Sequence, residues 1–401
     1  MRVLYLTLLP FKTLADKHIA TDLATELIAK GVELAIISPT LNVTDKKSEI
    51  VVNDNYKHIY IAAGPIQKVS PLKKMVGLYK LDFLATKYLK KEREKYDLIV
   101  TMVSNCAFYS LVKYLKKRDN CVVYNLVKDI FPDNALDLNL LKKESIVFKN
   151  LKKKEQNYYK ISDYLGVLSP ANMAYLLKQN PFLTKDKLEV NPNSIIPSDI
   201  TLSESEKRDI REQFKIPDNK IIFIYGGNLG VPQGIDFLLE CLLENERRGS
   251  GYFLIIGDGT EFLKIDAFIA KNGLKNSALF HSVKQDLFRK ITLVADIGLV
   301  FLNNKFTVPN FPSRMLSYMD ARKPILFAVD SATDVGHIAE ENRFGFTSLN
   351  GDLTAFFNNL DKLITDKTLR TEYGNNAYSY LSREFTAKKS AELILSHLGN
   401  K

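Results

Sequence analysis

Short apolar runs alternate with amphipathic stretches along the whole chain, and this alternation constrains the fold more than any other feature. Residues 3–9 are typical of a buried strand, and residues 18–30 then carry apolar side chains at helical spacing up to Gly31. The same strand–helix pair recurs along the 401 residues. Strands that alternate with helices predict parallel sheets covered by helices on both faces. We therefore predict an α/β fold.

The alternation stops once, between residues 190 and 203, where the chain is rich in Pro, Asn and Ser. Such composition is typical of a linker. We predict two doubly wound, Rossmann-like domains that face a cleft, the first at 1–195 and the second at 196–379. We also predict a C-terminal helix at about 380–401, and the sequence leaves open whether this helix packs back on the first domain.

The net charge of +10 is distributed unevenly. Residues 1–165 contain 28 Lys and Arg against 18 Asp and Glu, and the remaining residues are neutral as a set. A surplus of this kind favours an anionic partner of the first domain. The chain carries no recognised nucleic-acid-binding motif, so we expect an anionic membrane surface and no nucleic acid. Residues 71–95 mix lysines with apolar residues and could lie at such an interface, or form an ordinary helix whose apolar side faces the core.

Several other features restrict the class of protein. No apolar run reaches the roughly 18–20 residues that a membrane span needs. The three cysteines form no C-x-x-C pair, and the histidines and aspartates show no metal-ligand spacing. We expect buried, reduced thiols, a cytoplasmic protein, and neither a metal nor another cofactor.

The sharpest motif follows an apolar strand at residues 221–225. It contains Gly227, Asn228, Gly230 and Gln233, and a helix begins after it. Glycines let backbone amides approach an anion, and a helix N-terminus attracts negative charge. From the residues alone, a diphosphate site and a tight turn without a ligand are equally good interpretations.

Two weaker motifs come later. Gly257, Asp258 and Gly259 follow another strand, and Pro312, Ser313 and Arg314 stand where we predict the start of a helix. Ser is a natural N-cap, and an arginine in the first turn is explained if it pairs with an anionic ligand.

Together these segments resemble the retaining glycosyltransferases of family four, which have the GT-B fold. The likeness is to the branch that builds bacterial surface polysaccharides and includes L-fucosamine and N-acetylhexosamine transferases. It rests on G-N-L-G-x-x-Q-G at 227–234, G-D-G at 257–259, A-D-I-G-L-V at 295–300, P-S-R-M-L-S-Y-M at 312–319 and K-D-I-F-P-D at 128–133.

The resemblance implies a retaining hexosyl- or N-acetylhexosaminyltransferase that takes a UDP- or GDP-sugar. The acceptor would be a lipid-linked or oligosaccharide precursor of a capsule or other polysaccharide, at the inner face of the plasma membrane. Asp129, then Asp133, are the candidates for activating the acceptor hydroxyl, and Arg314 would stabilise the leaving diphosphate. Donor binding is assigned to Gly227, Asn228, Gly230, Gln233, Gly257, Asp258, Gly259, Val283, Pro312, Ser313, Arg314 and Ser317.

One departure from the family pattern leaves other functions open. The family's acidic residue against the ribose hydroxyls is Ser317 here, and its upstream partner would fall at Pro309. A serine offers one oxygen to the two ribose hydroxyls, whereas a carboxylate offers two. A non-catalytic partner subunit and a sugar-nucleotide epimerase of the same fold are the alternatives.

Overall fold

The computed structural model describes residues 1–42, 45, 47–53, 55–66, 69, 71–103 and 107–398, without the side chains of residues 71 and 72. The chain forms two compact units. The first comprises Met1–Ile196 together with Ala387–Lys401, and the second is Pro197–Thr386.

Among the described residues of the first unit, eight strands form one sheet, in the order β3-β4-β2-β1-β5-β6-β7-β8. All neighbouring pairs are parallel except β3 and β4. The strands are β1 (Arg2–Thr7), β2 (Glu33–Pro39), β3 (Glu49–Val52), β4 (Tyr56–Ile61), β5 (Leu98–Met102), β6 (Val122–Val127), β7 (Tyr164–Val167) and β8 (Leu188–Val190). The helices are α1 (Ile19–Ala29), α2 (Pro71–Leu89), α3 (Tyr109–Asp119), α4 (Asp133–Asp137), α5 (Ile146–Ile161), α6 (Pro170–Gln179) and, from the C-terminus, α15 (Ala387–Ser396).

Alternate residues of β1 face opposite sides of this sheet, because strand side chains alternate. Val3 and Tyr5 pack in a core shared with α1 and α15. Leu4 and Leu6 pack on the other side, in a core shared with α2 and α3. The predicted doubly wound arrangement of the first unit is confirmed.

Six parallel strands form the sheet of the second unit, in the order β11-β10-β9-β12-β13-β14. They are β9 (Ile222–Asn228), β10 (Tyr252–Asp258), β11 (Ser277–Phe280), β12 (Ile297–Phe301), β13 (Ile325–Val329) and β14 (Gly345–Leu349). The helices are α7 (Glu204–Gln213), α8 (Ile235–Arg248), α9 (Phe262–Asn272), α10 (Gln285–Val294), α11 (Met315–Asp320), α12 (Val335–Glu341), α13 (Leu353–Thr365) and α14 (Lys367–Glu384). Because parallel strands end at one edge, the motifs after β9 and β10 lie side by side.

The C-terminal part differs from the sequence-based boundaries. α14 belongs to the second unit, and the chain returns to the first unit only at Ala387, whose amide donates to the Ile195 carbonyl at 2.9 Å. Ala391 and Ile394 of α15 then complete the core beside α1. The predicted linker carries no helix between β8 and α7.

Cys121 and Cys241 are buried free thiols, and Cys106 lies outside the described residues. Among the described residues, no helix is both long and apolar enough to cross a membrane.

Candidate functional site

The glycine-rich turn of the second unit begins inside β9. Gly227 has a φ of +118°, a conformation that side chains disfavour, and the Gly226 amide donates to the Tyr318 hydroxyl at 2.9 Å. A methyl group on Gly227 would lie 3.5 Å from Cζ of Arg314. The turn therefore places glycine backbone, which carries no side chain, beside the guanidinium of Arg314.

Gln233 holds the rest of this turn from within. Its Oε1 accepts from Nδ2 of Asn228 at 2.9 Å and from the Gly230 amide at 3.3 Å. The Leu229 amide donates to the Asp258 carbonyl at 2.9 Å. The amides of Leu229 and Gly230 thus already have protein acceptors, and the anion-binding role of the turn stays a prediction.

The second motif packs tightly against the first. A Cβ on Gly257 would lie 1.9 Å from the Gly227 carbonyl oxygen, and one on Gly259 would lie 2.1 Å from that of Leu229. Both distances are far shorter than any van der Waals contact. These two glycines are therefore required for close packing of the two turns, independently of any ligand.

Asp258 organises the loop that follows β11. Its carboxylate accepts from the Ser282 hydroxyl and amide and lies 2.6 Å from Nδ1 of His281. The Ser282 hydroxyl and His281 lower the pKa of Asp258 to about 2. His281 stacks on Phe262 with ring centroids 4.1 Å apart and planes 5° apart. The half-buried Val283 follows directly.

Arg314 is the one predicted anion ligand that faces the glycine turn with a charge. Its Cζ lies 4.7 Å from the centroid of the Tyr225 ring. Its Nη1 is buried and makes no hydrogen bond to any residue that the structure describes. A buried donor without an acceptor is costly, so this position is suited to an anionic ligand.

The start of the adjacent helix corrects the sequence-based interpretation. α11 begins at Met315, Arg314 occupies the N-cap position without a side-chain capping bond, and Ser313 is exposed in the preceding turn after the half-buried Pro312. Ser313 is therefore not the helix cap that the sequence predicts.

Ser317 is half-buried within α11. It lines a small pocket with Ser198, Arg289 and Asp320, among others. Asp320 accepts from the Ser198 amide and hydroxyl at 2.7 and 2.6 Å. The predicted contact of Ser317 with a donor remains a prediction.

The two acidic candidates of the first unit have different surroundings. Asp129 follows β6 and is solvent-accessible, yet desolvation by neighbouring protein raises the pKa of its carboxyl to about 6, against the opposing effect of Lys74. Asp133 is buried at the start of α4, and its Oδ2 accepts from Nζ of Lys152 at 2.7 Å and from the Tyr175 hydroxyl at 3.3 Å. Asp129 is therefore the more accessible of the two carboxylates.

Sequence reasoning missed several groups at these two places. Desolvation lowers the pKa of Lys128, beside Asp129, to about 7, and its Nζ donates to the Asn191 carbonyl at 3.2 Å. Tyr225 and Tyr318 support Arg314 and the glycine turn. Tyr225 directly precedes the glycine pair, which is a usable signal, whereas the position of Tyr318 depends on tertiary packing. Across the described residues, no group of three His, Cys, Asp or Glu could hold a metal ion.

The match to a known protein family lies within one of the two units. Residues 206–380, within the second unit, match the family model of glycosyl transferases group 1. The chain is 27% identical over 250 residues to WbjE of Pseudomonas aeruginosa, described as a probable glycosyltransferase, covering 59% of this chain and 58% of the relative. It is 24% identical over 131 residues to WcaI of Escherichia coli, described as a putative colanic acid biosynthesis glycosyl transferase, covering 33% of this chain and 32% of the relative. The aligned parts span less than two thirds of either relative's length.

Solved structures resemble the chain over nearly all of its length. Sucrose-phosphate synthase from Thermosynechococcus elongatus has a TM-score of 0.74 at 16% identity and covers 99% of this chain and 98% of its own. HepE of Anabaena, crystallised with UDP-glucose, has a TM-score of 0.69 at 15% identity, with 100% of both chains covered. These likenesses show the GT-B fold that the sequence predicted.

Proposed function

We propose that this chain is a glycosyltransferase that moves a sugar from a nucleotide-sugar donor to a polysaccharide precursor. The observation that carries the proposal is Arg314, whose buried, unpartnered Nη1 lies beside Gly227 in a unit that matches glycosyl transferases group 1. WbjE and WcaI support the reaction class, and WcaI supports a surface polysaccharide as the product.

The donor we propose is a UDP-sugar, with a GDP-sugar as the second choice, because HepE was crystallised with UDP-glucose. Arg314 would take the diphosphate through charge-assisted hydrogen bonds. The exposed face of His281, held parallel to Phe262 and bonded to Asp258, offers a planar surface for the base.

In the reaction we propose, the bond between the anomeric carbon and the diphosphate oxygen breaks while a bond to the acceptor oxygen forms. Arg314 stabilises the charge that develops on the diphosphate, so no metal is needed for that purpose. Asp129 orients the acceptor hydroxyl, whose proton leaves with the diphosphate. Retention of configuration and a hexose or N-acetylhexosamine donor belong to this proposal. Asp133 is left out of it, because Lys152 and Tyr175 occupy its carboxylate.

The acceptor we propose is lipid-linked, which places the protein at the inner face of the plasma membrane. The positive charge of residues 1–165 supports this proposal, because an anionic bilayer attracts basic residues by about 1 kcal/mol each near its surface.

A panel of nucleotide-sugars tests the donor. We expect one UDP-sugar to raise the melting temperature by several degrees, since a ligand at a hundred times its Kd stabilises a fold by about 2.7 kcal/mol. The stabilising donor is then incubated alone. Release of UDP and free sugar supports a transferase, and a changed sugar still attached to UDP supports the epimerase. Binding without turnover, even with acceptor extracts, supports the non-catalytic subunit that Ser317 suggests.

A further inference from the structure

α2 of the first unit has apolar residues on two sides. One set packs in the core with α3 and consists of Leu78, Leu81, Ala85 and Leu89. The other set is exposed by 40–66% and consists of Met75, Val76, Tyr79 and Phe83. The sequence left open whether the apolar residues of this stretch face an interface or the core, and the structure buries Leu78 and Leu81 while it leaves Tyr79 and Phe83 exposed.

The exposed set forms one stripe along the helix. Its members lie one, four and eight residues after Met75, which brings them to the same side of an α-helix. Contiguous exposed apolar side chains of this size mark an interaction site more often than an ordinary surface.

α5 extends this stripe sideways. Nζ of Lys154 lies 4.6 Å from the centroid of the Tyr79 ring, so the two helices adjoin there. Val147, which is 54% exposed, lies seven residues before Lys154 and therefore on the same side of α5, about 10 Å along it. Its neighbour Ile146 is 78% exposed. We call Met75, Val76, Tyr79, Phe83, Ile146 and Val147 the two-helix face.

Lysines border the two-helix face. Lys73, Lys80 and Lys87 are exposed and recur every seven residues, so they form a row beside the stripe of α2. The acidic residue of α2, Asp82, is buried, and its carboxylate accepts from the backbone amides of Ser110 and Leu111 at 3.0 Å each. The exposed lysines in and just before the first half of α5 are Lys142, Lys143, Lys149 and Lys153, with Glu144 as an exposed acid among them.

We propose that the two-helix face docks on an anionic lipid bilayer, with its apolar side chains in the interfacial layer and the bordering lysines among the lipid phosphates. The positively charged lysines around the two-helix face are attracted to such a surface, and its apolar side chains add the free energy of burying apolar area in the bilayer. The proposed function supplies only the purpose, access to a lipid-linked acceptor. The docking itself is tested without turnover.

Flotation of the full chain with vesicles tests this proposal. The vesicles are phosphatidylcholine alone, or phosphatidylcholine with one quarter phosphatidylglycerol, each at 50 and 500 mM salt. One variant carries Val76→Ser, Tyr79→Ser and Phe83→Ser, and another carries Lys73→Gln, Lys80→Gln and Lys87→Gln. The matched controls change exposed residues of the second unit: Leu263→Ser, and the triple variant Lys271→Gln, Lys275→Gln and Lys284→Gln.

We expect the native chain to bind only the anionic vesicles, and less at 500 mM salt. The lysine variant should bind on the order of 100-fold more weakly at 50 mM, and the apolar variant at least tenfold more weakly at both salts. Both controls should bind as the native chain does. Nucleotide-sugar binding, measured in parallel, should be unchanged in all variants, so a failure of the proposed donor is visible separately.

Three outcomes would overturn the proposal. The first is no binding to anionic vesicles at 50 mM salt. The second is equal binding by the apolar variant and the native chain. The third is a native dimer that the apolar variant converts to monomer in light scattering, since the two-helix face would then be a contact between copies of the chain.

Discussion

The guanidinium of Arg314 lies over the ring of Tyr225, with Cζ 4.7 Å from the ring centroid. Burial raises the pKa of Tyr225 above its ordinary value, against the opposing effect of Arg314, so the ring stays neutral at physiological pH. A cation over an aromatic face is held without a counter-ion. Arg314 is thereby positioned before any anion arrives.

Replacing Arg314 tests its role in donor binding. For Arg314→Ala we expect UDP affinity to fall 10- to 100-fold, because a charge-assisted hydrogen bond contributes about 1.5–3 kcal/mol. Calorimetric titration measures the affinity, and thermal melting checks the fold. Arg322→Ala is the control, since Arg322 also lies over a tyrosine: its Cζ is 3.6 Å from the centroid of the Tyr378 ring. Equal affinity in the native chain and Arg314→Ala would exclude the assignment.

Gly257→Ala should destabilise the second unit, because the new methyl group would meet the Gly227 carbonyl oxygen at 1.9 Å. Overpacking of this kind costs about 1–3 kcal/mol, and more where backbone must move. Urea unfolding measures the loss. Gly249→Asn is the matched control, since Gly249 has a φ of +65° with open space around it, and asparagine tolerates that conformation. A loss no larger than that of the control would contradict the packing role.

The pH dependence of transfer should report Asp129. Its pKa is raised to about 6, so the carboxylate is lost as pH falls below 6, and kcat/KM should drop there by about tenfold per pH unit. Lys74→Gln removes a cation that lowers this pKa and should move the acid limb to higher pH. Asp129→Asn should be nearly inactive at every pH. Initial rates between pH 4.5 and 8 measure this dependence. An acid limb unaffected by Lys74→Gln would contradict its assignment to Asp129.

Lys152 should be structural rather than catalytic. Its Nζ lies 2.7 Å from Oδ2 of Asp133 and 2.6 Å from Oε2 of Glu155, and both carboxylates are buried. Lys152→Met leaves them without a cation, which costs about 3–5 kcal/mol of unfolding free energy at pH 8. Burial raises the pKa of Glu155 from 4.5 to about 7, so between these pH values the folded chain holds a proton that the unfolded chain lacks, and the loss should shrink at pH 5.5. Urea unfolding at both pH values measures it, and identical losses would contradict this account.

His58 should make the first unit sensitive to acid. It is 1% exposed, its Nε2 lies 2.9 Å from Oγ of Ser38, and burial lowers its pKa to about 3. Between pH 6.5 and 3 the unfolded chain binds a proton that the folded chain does not, so stability falls as pH falls. The loss is about 2–3 kcal/mol at pH 4.5.

His58→Phe should remove most of this slope, because phenylalanine does not titrate. His337→Phe, at a histidine side chain that is 74% exposed, should leave the slope unchanged. Unfolding free energies between pH 4 and 8 provide the comparison, and parallel curves for the native chain and His58→Phe would refute the prediction.

The sequence predicted the long buried strands and the order of the motifs, because apolar runs and glycines are local signals. It did not reveal β3 and β4, whose residues at 49–61 mix polar and apolar side chains at one edge of the sheet. It ranked Asp129 before Asp133 but did not reveal that Lys152 pairs with Asp133, because this salt bridge joins residues that are 19 positions apart. The start of α11 was misplaced because Ser313 is a good cap residue that the fold leaves in a turn.

The hydrogen bond from the Ala387 amide to the Ile195 carbonyl joins the two places where the chain leaves and re-enters the first unit. The second unit is one continuous segment whose two ends meet the first unit at neighbouring positions, whereas the first unit is closed only after α15 returns. Segment 197–386 is therefore a single insertion into the first unit. Replacing it with the corresponding segment of a homologue would need only two junctions, at neighbouring positions. Cutting the gene after residue 196 would instead leave a fragment without Ala391 and Ile394, and so with an incomplete core.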